Sequence, residues 1–374
     1  MKFNVSSSAL FNALQSTSKV ISSKNTLPIL DSFLFNLEDN NLIITASDQE
    51  IRMVTSTSVL SSEGSGFVAI EAKRLLEPLK ELPDQPLDFE INDDNLAITV
   101  KYANGKFNIP GQSGDAYPQQ KPLNADSKKF TIESNALLSG LSRAFFATAE
   151  DDFRPVMAGI YLDIKPENLT FVASDGHKLV RLRNKTVQTG ITAALILPKK
   201  PINLLKTSLP KSNETVSVEF DSNNVYFKTS AFEMVCRLIE GTYPNYDAVI
   251  PTDNPNILTI DRLSLLKALK LVSNFTSESS ELIKIEIADN SLKVSAQDLD
   301  FSTSAEETVT CQYSSSPLSI GFKSSFLIDI LSNMTTASID IQLADPSRAG
   351  VIVPTVNEEN EDDLMLLMPM MLND

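Results

Sequence analysis

Hydrophobic and polar positions alternate with a period of two at three widely separated points, and each time the alternation gives way to helical spacing. Lys2-Phe3-Asn4-Val5 leads into Ala9-Leu10-Phe11-Asn12-Ala13-Leu14, and Lys129-Phe130-Thr131-Ile132 into Ala136-Leu137-Leu138-Ser139-Gly140-Leu141. Ile257-Leu258-Thr259-Ile260 likewise leads into Ser264-Leu265-Leu266-Lys267-Ala268-Leu269. Period two marks a half-buried strand, and apolar residues at i, i+1, i+4 and i+5 make one face of a helix. Phe3, Phe130 and Leu258 stand 127 and 128 residues apart, so the chain reads as one unit repeated three times. Asn41-Leu42-Ile43-Ile44-Thr45-Ala46-Ser47-Asp48 matches Asn168-Leu169-Thr170-Phe171-Val172-Ala173-Ser174-Asp175, and Ser291-Leu292-Lys293-Val294-Ser295-Ala296-Gln297-Asp298 is the third copy. These are hairpin strands ending in a polar turn. A second helix begins near Lys73, Lys199 and Ser324, and Tyr117-Pro118 and Tyr243-Pro244 close the first two units. The pattern predicts helices over 8–22, 73–82, 135–149, 199–209, 262–275 and 324–334, in three α+β domains with antiparallel sheets at 1–127, 128–253 and 254–374.

Composition adds little until charge is mapped onto these elements. With 374 residues, 42% hydrophobic and 21% charged, the chain has the make-up of a soluble multidomain protein. No apolar run approaches the roughly 20 residues of a membrane span, and the N-terminus lacks a signal-peptide core. Cys236 and Cys311 lie far apart without metal-ligand spacing, which fits a reduced, cytoplasmic chain with no cofactor. The net charge of −16 argues at first against nucleic acid. However, the six helices carry eleven basic residues (Lys19, Lys73, Arg74, Lys80, Arg143, Lys199, Lys200, Lys206, Arg262, Lys267 and Lys270) and only Glu77, Glu81 and Asp329 as acids. They sum to +8, which leaves −24 for the rest. Plain solvation of helix faces is the simpler reading, but the sign segregates by element in all helices but one. Helices about 10 Å across would line a circle of about 60 Å with one chain, leaving a bore of roughly 9 Å. Two chains give about 120 Å and a bore near 28 Å, enough for a duplex roughly 20 Å wide. The arithmetic favours a dimeric ring whose lysines and arginines touch phosphates without reading sequence, inside an acidic exterior.

Candidate chemistry is sparse. The one histidine lies in Ser174-Asp175-Gly176-His177, but Asp-Gly is a hairpin-turn signal, and the equivalents Asp48 and Asp298 have no histidine beside them. There is no glycine-rich phosphate loop, HExxH or cysteine cluster, so no catalytic or metal-binding residue is expected. The methionine-rich run Leu366-Leu367-Met368-Pro369-Met370-Met371-Leu372 either completes the third core or forms an adaptable binding surface. An acidic, β-rich scaffold unconnected with DNA would explain the repeat and the charge, though not the basic helices.

Several local stretches on this repeat carry a resemblance. They are Thr26-Leu27-Pro28-Ile29-Leu30, Arg154-Pro155-Val156-Met157-Ala158-Gly159, Ala173-Ser174-Asp175-Gly176-His177-Lys178-Leu179, Tyr243-Pro244-Asn245-Tyr246 and the C-terminal run. In this order the chain resembles the bacterial DNA polymerase III beta subunit, the beta sliding clamp family, along its whole length. The resemblance implies a non-catalytic, head-to-tail homodimer encircling duplex DNA in the cytoplasm, where it tethers the polymerase catalytic subunit and is opened by an ATP-dependent clamp loader. It also implies a pocket for clamp-binding motifs of client proteins, built from Arg154, Met157, Ser174, Gly176, His177, Lys178, Leu179, Pro244, Val249, Phe326, Leu366, Leu367, Met368, Pro369, Met370, Met371 and Leu372. By position the resemblance implies DNA contacts at Lys24, Lys73 and residues next to Arg154, and the basic helices add Arg74, Lys80, Arg143, Lys199, Lys200, Lys206, Lys267 and Lys270 as expected contacts. The subunit contact would set Phe107 and Ile109 against the partner subunit's Leu271 and Val272. Departures from the family pattern are Met371 where a basic residue is common, the extra Asn373 and Asp374, Ala248, Asp151, and Pro155-Val156.

Overall fold

At each point where alternation yields to helical spacing, a strand runs without a linker into a helix. The structure is a computed structural model and describes residues 1–150, 153–210 and 212–372. The first repeat holds β1 (Lys2–Ser6), α1 (Ser7–Ser18), β2 (Ser32–Glu38), β3 (Asn41–Ser47), β4 (Ile51–Ser58), β5 (Ser61–Glu63), β6 (Gly66–Glu71), α2 (Ala72–Glu81), β7 (Pro86–Ile91), β8 (Ala97–Tyr102) and β9 (Gly105–Ser113). The second holds β10 (Lys128–Glu133), α3 (Ser134–Ala144), β11 (Gly159–Lys165), β12 (Asn168–Ser174), β13 (Lys178–Asn184), β14 (Ala193–Pro198), α4 (Lys199–Ser208), β15 (Thr215–Phe220), β16 (Asn224–Lys228) and β17 (Glu233–Arg237). The third holds β18 (Asn256–Asp261), α5 (Arg262–Val272), β19 (Leu282–Ala288), β20 (Ser291–Asp298), β21 (Thr303–Thr310), β22 (Leu318–Lys323), α6 (Ser324–Asn333), β23 (Ser338–Leu343), β24 (Gly350–Pro354) and β25 (Glu361–Leu367). The strand pairings are antiparallel, as the alternation implies.

Three helices are shorter than their apolar pattern. α1 stops at Ser18 rather than residue 22, because the Ser16, Thr17 and Ser18 hydroxyls turn back onto carbonyls of the preceding turn. α3 and α5 end at Ala144 and Val272 and tighten into 3-10 turns, Phe145–Ala147 and Ser273–Phe275. At their starts, Ser6 and Asp261 cap the amides of Ala9 and Ser264.

The chain folds as two units. The first comprises Met1–Asn135 and Asn203–Leu238. Its sheet runs β10-β15-β16-β17-β4-β3-β2-β6-β9-β8-β7-β1-β5, so strands of the second repeat continue the first repeat's sheet through β17 and β4. Phe3, Phe35 and Phe89 are buried at its centre, with Phe3 and Phe89 stacked at 4.7 Å, and α1 packs beside α2. β9 changes partner midway: Gly105–Pro110 pairs with β8, whereas Gly111–Ser113 pairs with β6. Its first half therefore keeps one edge unpaired among the described residues.

The second unit comprises Ala136–Ile202 and Ile239–Asp374. One sheet runs β14-β11-β12-β13-β25-β24-β23-β18 and joins the second repeat to the third through β13 and β25. A separate sheet, β21-β20-β19-β22, leaves β21 as an open edge, and α5 packs on β20 and β21 beside α6.

Candidate functional site

The matched aspartates at the ends of β3, β12 and β20 perform one task three times. Asp48 Oδ1 accepts the amides of Glu50 and Ile51 at 2.8 and 2.6 Å; Asp175 Oδ1 accepts those of His177 and Lys178, both at 2.9 Å. Asp298 Oδ1 accepts the amides of Asp300 and Phe301 at 2.9 and 3.2 Å. Each is a carboxylate-capped turn. Catalysis at His177 finds no support in this geometry, since the Ser174 hydroxyl donates to the Lys178 carbonyl at 2.8 Å and the His177 side chain lies exposed at the turn tip.

The second of these turns packs against α6. Lys178 is buried, and its Nζ bonds Asp175 Oδ2 at 2.7 Å while lying 4.0 Å from the Phe326 ring centroid. Burial alone would raise the Asp175 carboxyl, but hydrogen bonds from the Lys178 ammonium and from the Lys178 and His177 amides hold it below its ordinary range. Burial pushes Asp329 on α6 upward, against the opposing pull of Lys178. His177 stands beside the same ring, centroids 5.8 Å apart. Gly176 adopts φ +87°, and a Cβ there would come within 2.5 Å of Arg154 Nη1, so glycine lets the arginine lie over the turn.

The C-terminal segment runs alongside this turn. β25 pairs with β13 up to Lys178 and Leu367, after which the Met368 amide bonds the His177 carbonyl at 2.8 Å and the Met370 amide bonds the Gly321 carbonyl at 2.8 Å. Leu366 and Leu367 are buried, whereas Met368 is 43% and Met371 79% exposed. Leu179 and Leu366 share a core with Tyr243 and Tyr246, where Tyr161 stacks on Tyr243 at 4.7 Å. Burial pushes both phenols up, and Tyr246 donates to Asp163 at 2.7 Å. Pro244 and Val249 are exposed next to that core, and Met157 and Phe326 are half-buried. Of the expected pocket residues, Ser174, Lys178, Leu179, Leu366 and Leu367 are buried, and the others are half-buried or exposed. Sequence reading missed Lys323, whose Nζ lies 4.8 Å from the Phe326 ring; its signal was a cation three residues before an aromatic at a helix start.

The expected DNA contacts divide. Lys24, Lys73, Arg74, Lys80, Lys200, Lys267 and Lys270 are exposed and Lys206 is half-buried. Lys73 pairs loosely with Glu77 at 3.9 Å and Arg74 with Glu71. Lys199 bonds the Ala149 carbonyl at 2.7 Å and Glu150 at 2.6 Å. Arg143 is a correction: its side chain is 14% exposed and is held by Glu361 at 3.0 Å and by Asp363, which turns it into the protein and away from any external phosphate. Arg262 is likewise internal, bonding the Thr336 and Leu331 carbonyls. At the expected subunit contact, Phe107 is half-buried on β9, Ile109 is 9% exposed, and Leu271 is 48% exposed. Val272 is a second correction: it lies fully buried beneath its own sheet and presents nothing to a partner. Asp151, Asn373 and Asp374 lie outside the described residues. Among the described residues no cluster of ligating side chains could hold a metal, and no helix is long and apolar enough to cross a membrane.

Comparison with known proteins accords with this architecture. The N-terminal, central and C-terminal domain profiles of the DNA polymerase III beta subunit match residues 1–121, 131–245 and 247–370. The chain is 26% identical to the beta sliding clamp of Pseudomonas putida over 373 residues, covering 100% of each, and 27% identical to that of Synechococcus elongatus over 364 residues, covering 95% of this chain and 96% of the relative. The crystal structure of the Pseudomonas aeruginosa DNA polymerase III beta subunit superposes with a TM-score of 0.94 at 25% identity, covering 100% of both chains. A second structure of that clamp, bound to griselimycin, gives 0.93 at 25% identity over the same full coverage. With the three domains matched in order and sliding clamps aligned from end to end, the chain belongs to the DNA polymerase III beta subunit family, the beta sliding clamps, which are non-catalytic processivity subunits.

Proposed function

We propose that two copies of this chain close head to tail into a ring around duplex DNA, in the cytoplasm, and confer processivity by tethering the replicative polymerase. The repeats are bounded at 127 and 253, with their helices toward the bore. One observation carries the ring: two open strand edges of opposite charge. The free half of β9 carries Lys106, and the free edge β21 carries Glu306 and Glu307, all exposed. Antiparallel strands with unpaired amides and carbonyls are ready-made templates for joining, and opposite charge fixes which edge meets which. Phe107 and Ile109 on β9 then meet the partner subunit's Leu271. The exposed helix cations, Lys73, Arg74, Lys80, Lys200, Lys267 and Lys270 among them, contact phosphates, as do Lys24, Lys199 and Lys206. Such contacts do not read sequence and so permit sliding.

The groove bounded by Arg154, Gly176, His177, Phe326 and Met368 through Leu372 receives apolar peptide motifs from the polymerase, an ATP-dependent clamp loader and other clients. Methionines repack around varied side chains, which suits a surface that takes several client motifs. We further propose that griselimycin, which the Pseudomonas aeruginosa clamp binds, occupies this groove. The test combines light scattering with DNA retention. A dimer at micromolar concentration that is held on nicked circular DNA after loading, and lost when the circle is linearised, is the expected result. A strict monomer, or retention indifferent to DNA ends, refutes the ring and favours an acidic scaffold.

A further inference from the structure

The junction of the first two repeats is built like the junction of the second and third, which makes their differences informative. Arg52 on β4 stands opposite Val235 on β17, as Leu179 on β13 stands opposite Leu366 on β25. Tyr117 packs with Ile29, Leu34 and Ala69 at the first junction, as Tyr243 packs with Val156, Tyr161 and Ile196 at the second. Three residues further on the two part. Tyr246 is 7% exposed, sets its ring 6.1 Å from Tyr161 and donates to Asp163. At the matched place stands Gln120, which is exposed and turns its amide to the Lys121 carbonyl. The first junction thus lacks the ring that closes the second. Leu34 and Ile29 are half-buried there, and Phe67 is 49% exposed. Phe67 and Leu34 meet over Gly114, where a Cβ would come within 2.4 and 2.8 Å of them.

Charge is the second difference. Arg52 takes the place of the apolar Leu179 and is half-buried, 6.0 Å from the Tyr117 ring centroid, with one nitrogen donating to the Pro118 carbonyl at 2.7 Å. No carboxylate pairs with it among the described residues, and Oδ1 of Asp48 on the adjoining turn is taken by the Glu50 and Ile51 amides. A cation partly withdrawn from water without a counter-charge is a cost that an incoming carboxylate relieves. We propose that this face of the first unit is a second docking site, for a partner protein's peptide segment that carries an aromatic residue next to a carboxylate. The ring lies against Leu34 and Phe67, where Gln120 leaves the junction uncapped, and the carboxylate pairs with Arg52. Arg52 and Leu34 share one sheet face two strands apart, about 10 Å, which a dipeptide with its side chains spans. Asp31, Glu50 and Asp115, exposed on the neighbouring turns, leave room for one negative group and oppose a run of phosphates. The proposal takes its pattern from the client groove above but uses none of that groove's residues.

Methyl NMR of the full chain, labelled at isoleucine, leucine and methionine, tests this with N-acetyl-leucyl-phenylalanine as the free acid and as its C-terminal amide. The methyls of Ile29 and Leu34 report this site, and those of Leu366 and Met368 report the client groove separately. The expected result is a saturable shift at Ile29 and Leu34 with the acid, and binding at least about 10-fold weaker with the amide. Arg52→Met should remove the preference for the acid, and Phe67→Ser should weaken both forms, with thermal unfolding of each variant as the folding control. Shifts confined to Leu366 and Met368 overturn the proposal and leave the client groove standing. Unshifted Ile29 and Leu34 methyls overturn it whatever the client groove does, and so does a parent chain that binds acid and amide equally.

Discussion

Replacing Arg143 by methionine separates its internal role from the external one its place on a basic helix suggests. The guanidinium joins Glu361 at 3.0 Å and Asp363, whose side chains are 22% and 7% exposed. Removing one partner of a buried ion pair costs about 3–5 kcal/mol, because the remaining charge stays desolvated. Glu361 can reach water once released, which puts R143M at the lower end, about 3 kcal/mol. In a unit of roughly 200 residues that corresponds to a fall in Tm of about 6–12 °C. Differential scanning calorimetry resolves a change of that size. The second arm is R143M/D363L, which removes the stranded carboxylate and should recover at least half of the loss. Salt should matter little, since the pair is shielded from solvent. An R143M transition within about 2 °C of the parent, together with weakened DNA retention, would refute the internal assignment and return Arg143 to the DNA-contacting set.

Three further outcomes follow from the groove. Asp175→Asn should destabilise the chain by about 1–2 kcal/mol at neutral pH through loss of charge-assisted hydrogen bonds. The folded-state pKa of Asp175 is depressed, so this contribution is present above the ordinary carboxylate value near 3.9 and is lost as pH falls through the lower folded value. Urea unfolding of both proteins should therefore differ at pH 7 and converge in strong acid; a constant gap would contradict the pairing. Gly176→Ala forces a side chain into the left-handed region and against Arg154, and should cost about 1 kcal/mol in urea unfolding; an unchanged midpoint would contradict the close approach. Deleting Met368 through Asp374 should abolish binding of polymerase-derived peptides while leaving the dimer, and peptide affinity that survives this deletion would remove the groove from the client-binding role.

Much of the architecture was legible because strand and helix periods change abruptly at matched places: Phe3, Phe130 and Leu258 are all buried first-strand residues. Val272 was legible in principle too. It continues the buried stripe of Leu265 and Leu269 at helical spacing, whereas Leu271 sits one step off it and faces out. Arg143 was not. Its partners lie 218 and 220 residues downstream, in an acidic run that also gives Asp362 to Arg181 and Arg183, and charge counted by helix cannot reveal a pairing made across a sheet. The free half of β9 was equally hidden, because an edge is defined by where another strand stops pairing. The burial of Lys178 against the Phe326 ring was hidden as well, because the two residues are brought together only by the packing of β13 beside α6.

The sharing of sheets between repeats bears on how the chain is made. The first unit needs Asn203–Leu238 as well as Met1–Asn135, so a ribosome that has finished the first repeat has not yet supplied a whole unit. At about 5–20 residues per second, β4 waits roughly 9–36 seconds for β17 to be synthesised, its edge unsatisfied throughout. Expressing the first repeat alone would make that interval permanent, and a fragment ending near residue 127 should aggregate where one reaching past Leu238 stays in solution.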